Sequence, residues 1–76
     1  MALTARNLNR QLKRMGYELE FWYDRSGGTW VLTGIDKNGD WFSKATFVYR
    51  LNMMTFDEWI DEAIHHYNTD SATRGW

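Results

Sequence analysis

The apolar positions along the chain switch from helical spacing to strand spacing and back, and each switch marks an element. Between residues 4 and 15, Ala5, Leu8, Leu12 and Met15 recur on one helical face. That predicts an amphipathic helix capped by Thr4 and stopped by Gly16. From Tyr17 the period drops to two: Tyr17, Leu19, Phe21 and Tyr23 alternate with Glu18, Glu20 and Trp22, as in a half-buried strand. DRSGG, residues 24–28, reads as a turn. Residues 29–35 are rich in β-formers, and Asn38-Gly39 within DKNGD is a strong hairpin signal, so a third strand is expected from about Trp41 to Arg50. Helical spacing then returns with Phe56, Trp59, Ile60, Ala63, Ile64 and Tyr67. Thr55 and Glu58 stand at capping-box spacing before it, and Met54 is placed to staple against Trp59.

The order predicts an α+β fold, α-β-β-β-α, in which a three-stranded antiparallel meander carries both helices packed on one face and leaves the other open. Residues 1–76 read as a single α+β domain with a short polar C-terminal tail from about 69, ending at Trp76. At 76 residues the chain is small enough that stability is marginal, with about 60% of the unfolded surface buried. Cysteine is absent, so neither disulfides nor thiolate metal sites reinforce it; five tryptophans, four tyrosines and four phenylalanines supply bulk instead. No apolar run approaches the roughly 18 residues of a membrane span, and no charged-then-apolar leader opens the chain. A soluble cytoplasmic protein, with no membrane contact, is therefore expected.

The turn between the first two strands decides what the open face carries. If it pairs Tyr23 with Thr29, Trp22 stands opposite Trp30 and Glu20 opposite Leu32. Both tryptophans then share the open face with Glu18, Glu20 and Leu32, while Phe21, Val31 and Ile35 point to the helices. The third strand adds either Phe42 and Val48 or Trp41 and Phe47, depending on whether the DKNGD loop contains a bulge. An aromatic patch of this kind suits a partner protein or a second copy of the chain, and the chain's own tail with Trp76 is a further candidate to cover it.

Net charge is −1, but its distribution is bipolar. Arg6, Arg10, Lys13 and Arg14 make the first helix basic and are the candidate nucleic-acid contacts; Asp57, Glu58, Asp61 and Glu62 make the last helix acidic and suit a basic partner surface. Other chemical signals are weak. His65 and His66 follow Asp61 and Glu62 by one helical turn, but no further metal ligands are marked, and imidazolium suits a helix C-terminus. Asp36, Asn38 and Asp40 imitate the start of a calcium loop, yet Trp41 stands where its glycine belongs and Phe47 where its last acid belongs. SGG, residues 26–28, joins two strands and opens no helix, so it is a turn and no phosphate cradle. With no nucleophilic triad and no paired acids in a recognisable pocket, no enzyme and no cofactor is expected.

Residues 7–19, NLNRQLKRMGYEL, resemble the opening of mRNA-interferase toxins of the HicA type, whose helix, three strands and helix form a double-stranded-RNA-binding-like arrangement. The catalytic histidine of those toxins lies in a glycine-serine-histidine turn, and here the corresponding turn reads DRSGG. In length, element order, lack of cysteine and acidic closing helix the chain is also similar to small phage-encoded inhibitors, among them anti-CRISPR proteins and other host-takeover factors. That resemblance implies a non-enzymatic inhibitor that works in the host cytoplasm by occluding a surface of a larger host or defence protein, such as a nucleic-acid-binding effector. Trp22, Trp30 and Leu32 would anchor it, beside Glu18 and Glu20. The alternative is a nucleic-acid-binding module that uses the first helix.

Overall fold

The computed structural model describes residues 2–68; the expected tail from about 69, with Trp76, lies outside them. Helix α1 runs Ala5–Arg14, strands β1, β2 and β3 run Leu19–Asp24, Thr29–Ile35 and Trp41–Ala45, a single 3-10 turn covers Leu51–Met53, and helix α2 runs Phe56–Asn68. The strands form one antiparallel sheet in the order β1-β2-β3. The α-β-β-β-α order is thus the one the periodicity predicts. No helix of the described residues is long and apolar enough to cross a membrane.

Local chemistry sets the helix ends. The Thr4 hydroxyl accepts from the Asn7 amide at 3.1 Å and caps α1. At the other end Gly16 adopts φ 93°, its amide donates to the Lys13 carbonyl, and the Tyr17 amide reaches back to the Leu12 carbonyl, both at 3.0 Å. These two bonds close a Schellman motif, which needs the left-handed residue that glycine supplies. The start of α2 is a reciprocal capping box: the Thr55 amide donates to Glu58 Oε1 at 2.9 Å and the Glu58 amide donates to Thr55 Oγ1 at 3.2 Å.

Both helices pack on the same side of the sheet. Leu8 and Leu12 from α1 and Trp59, Ile60 and Ala63 from α2 close over Leu19, Phe21, Leu32 and Phe42. Trp59 is the keystone. It is fully buried, meets Phe21 edge-on at 5.1 Å between ring centroids, and donates its indole N–H to the Leu51 carbonyl at 2.7 Å. A buried indole requires such a partner. Met54 packs against the same cluster, as a staple should. Within β2, Gly34 is held by space: a Cβ there would run into the Glu18 carbonyl.

The register corrects the expected face of β2. Asp24 joins the ladder opposite Thr29, so Tyr23 pairs with Trp30, Trp22 with Val31 and Phe21 with Leu32. The connecting loop is therefore residues 25–28, one residue shorter than the expected turn at 24–28. Side chains alternate with period two, and a one-residue slip moves every β2 side chain to the other face. Trp30 and Leu32 consequently face the helices, and Val31 and Ile35 face away from them.

Candidate protein-binding surface

Two of the three expected anchors belong to the core. Leu32 is fully buried, and Trp30 packs edge-on against Trp59 at 6.3 Å and Tyr23 at 5.5 Å. Trp22 remains on the outer face as expected, 40% exposed, with Glu20 exposed on the same strand and Glu18 exposed just before it. Across the sheet it is followed by Val31 and Ala45. Val31 is buried between these neighbours although no helix covers it. Ile35 pairs with Trp41, so of the alternatives for the third strand, Trp41 takes the outer face and Phe42 the core. Trp41 is 68% exposed. Thr33 lies between Glu20 and Ser43 in the central row, so the outer face is apolar at two opposite corners with a polar band between them.

The ladder of β3 stops at Ala45, five residues before the expected Arg50, and the reason is a bulge. The Thr46 amide donates to the Trp30 carbonyl at 3.0 Å, but the Trp30 amide donates to Val48 at 2.9 Å rather than back to Thr46. Phe47 is the residue squeezed out between them. The Thr46 hydroxyl locks the distortion by donating to the Trp30 carbonyl at 2.8 Å and accepting from the Val48 amide at 3.2 Å. Phe47 sits at φ 60°, the one non-glycine residue with positive φ among the described residues, and is 73% exposed. Tyr49, two residues on, is 60% exposed, while Val48 and Leu51 turn inward against the core. Tyr49 and the partly exposed Tyr23 complete a set of aromatic rings that the sequence reading did not single out.

The charged residues are arranged in two grooves. Arg6, Arg10 and Lys13 line one of about 480 Å³ between α1 and β1, with Glu18 and Glu20 on its strand side; Arg14 is exposed outside it. Between them Asn9 reaches the strand. Its Oδ1 accepts from the Phe21 amide at 2.7 Å and its Nδ2 donates to the Phe21 carbonyl at 3.1 Å. The second groove, about 430 Å³, is lined by Met54, Glu58, Asp61, Glu62 and His65 of the α2 end; Asp57 is exposed on the same helix. The basic and acidic ridges thus lie on separate helices of one layer.

His66 is held by Glu62, with Nε2 and Oε1 2.8 Å apart. Burial lowers its pKa from the ordinary 6.5; Glu62 pulls the other way, and His65 and Lys44 add to the lowering. Among the described residues no group of three or more histidine, cysteine, aspartate or glutamate side chains could hold a metal ion. The DKNGD segment folds as a turn around Asp36, whose Oδ1 accepts from the Asn38 and Asp40 amides at 2.9 and 3.0 Å. Its carboxylate is thereby bound to the chain itself.

No protein-family model, curated protein or solved structure matches the chain.

Proposed function

We propose that the chain is a non-enzymatic protein-binding module that inhibits or modulates a larger host or defence protein by covering part of its surface. The observation that carries this reading is the set of large aromatic side chains left in water: Trp22, Trp41, Phe47 and Tyr49, each at least 40% exposed on a chain of 76 residues. Tryptophan, tyrosine and phenylalanine are the anchors of protein interfaces, and a small domain gains nothing in its own stability from keeping them exposed. Asp57, Glu58, Asp61 and Glu62 supply the second contact, presenting carboxylates to a basic surface as phosphates would. A small phage-encoded inhibitor of the anti-CRISPR kind is the narrower form of this reading.

The test is capture from nuclease-treated host lysate by the immobilised protein, in parallel with a Trp22→Ala, Trp41→Ala double variant. A retained protein that binds the wild type in purified form and is lost from the double variant supports the reading. Retention found only when the nuclease is omitted opposes it. Size-exclusion chromatography separates the remaining partner, a second copy of the chain.

A second reading has one observation in its favour: Arg6, Arg10 and Lys13 line a common groove on α1. A nucleic-acid-binding module would use them against phosphates. It requires a gel shift at low salt that Arg10→Glu with Arg14→Glu abolishes while folding is intact. No shift at low salt retires it.

A further inference from the structure

The bulge after β3 stands apart from the rest of the surface. Left-handed backbone is unfavourable for a bulky side chain, and surrounding contacts must over-determine it. Here the Thr46 hydroxyl and the crossed bonds to Trp30 do so. On the inner side the distortion turns Val48 toward the core, and on the outer side it leaves a phenyl ring standing 73% in water. The backbone that carries the ring is held on both sides, by Thr46 before it and Val48 after it. Val48 and Leu51 are packed inward on either side of Tyr49, and Leu51 is tied to the buried indole of Trp59.

Charge completes the description of this end of the molecule. Tyr23 pairs with Trp30, and Trp30 bonds to Thr46 and Val48, so the loop at residues 25–28 and the segment from Phe47 to Arg50 lie at the same end of the sheet. That end carries exposed Arg25 and Arg50. Among the described residues neither forms an ion pair. Asp24, the acid nearest in sequence to Arg25, is half-buried, with Oδ1 accepting from the Ser26 amide at 3.0 Å.

We propose that Phe47 is a preformed anchor that inserts into an apolar pocket on a partner protein, and that carboxylates on the rim of that pocket pair with Arg25 and Arg50. This inference rests on the protein-binding reading and names the contact within it. A projecting ring at the same end of the sheet as two exposed arginines matches the composition of interface hot spots, in which aromatic residues and arginine predominate. Tying down the backbone beneath the ring reduces the entropy that a free loop would lose on binding. A single-stranded nucleic acid fits less well. Two arginines give little phosphate neutralisation, and Glu20 stands next to Trp22 on the outer face.

The test uses a displayed library of random twelve-residue peptides, selected on the wild-type protein, with Phe47→Gly as the control surface. Glycine adopts the same backbone without strain, so this variant keeps its fold and its thermal midpoint stays level or rises. Selected peptides should combine aspartate or glutamate with a large apolar residue. By calorimetry they should bind Phe47→Gly about tenfold or more weakly and Arg25→Glu, Arg50→Glu several-fold more weakly, the latter loss shrinking in high salt. The inference is overturned by peptides that bind wild type and Phe47→Gly equally, or by a library that yields nothing above the glycine background. It is also overturned if labelled dT15 competes for the site. Peptides lost only from the Trp22→Ala, Trp41→Ala variant would remove the Phe47 anchor and leave the protein-binding reading standing.

Discussion

Trp22 and Trp30 sit on neighbouring strands one pairing row apart, yet they have opposite fates. Trp30 points into the layer between sheet and helices, where it meets Trp59 and Tyr23; Trp22 points the other way, in the row it shares with Val31. The inner face is joined by interlocking rings and buried leucines, and the outer face by alternation alone. Identical side chains therefore do different work according to the parity of one loop. Inner aromatic rings hold the fold, and outer ones are available to something else.

The contrast can be broken from the inside first. Trp59→Ala removes a fully buried indole and the hydrogen bond to Leu51, which should cost about 3–5 kcal/mol. A domain of this length has about 4–11 kcal/mol in total, so urea titration should find a large part of that stability gone and the midpoint far below that of the wild type. Asn9→Ala comes next. It leaves the Phe21 amide and carbonyl unpartnered on a part-buried edge, with an expected loss of about 1–3 kcal/mol in the same titration. The outer face should respond least to truncation: Trp41→Ala, on a mostly exposed ring, should shift stability by about 0.5 kcal/mol or less. A loss comparable to that of Trp59→Ala would show that the outer face is structural after all.

The smallest effect sharpens the comparison by pH. His66 has its pKa lowered in the folded chain, so the neutral imidazole is the form that folding favours. Its contribution to stability is complete above the ordinary value of 6.5 and is lost as pH falls through 6.5 toward the lowered folded value. Thermal midpoints should therefore decline between about pH 7 and 5.5, and His66→Gln should flatten that decline. An unchanged slope would mean that His66 is not the group responsible.

Most of the architecture was legible because its signals are local. Thr4, Gly16, Thr55 and Glu58 act on amides a few residues away, and the apolar spacing of α2 needs no partner to be recognised. The face of β2 was not legible, because Asp24 has two compatible identities. It is a turn-forming residue by type, and its carboxylate does hold the turn at Ser26, but its backbone belongs to the ladder. The end of β3 was hidden for the opposite reason. Thr46, Phe47 and Val48 are all strand formers, and only the hydroxyl bridge to Trp30 reveals that they leave the ladder. Asn9 looked like one more polar residue on a helix. Its role depends on the arrival of Phe21, twelve residues later in the chain.

Asn9 offers β1 what an adjoining strand would: one acceptor and one donor at the spacing of a peptide unit, but from a side chain. It thereby plugs the middle of that margin, while among the described residues β3 has no neighbouring strand on its far side. Endless stacking of copies, strand to strand, requires two vacant margins per molecule. With one plugged, any association of that sort would terminate as a pair and could not grow into a fibre.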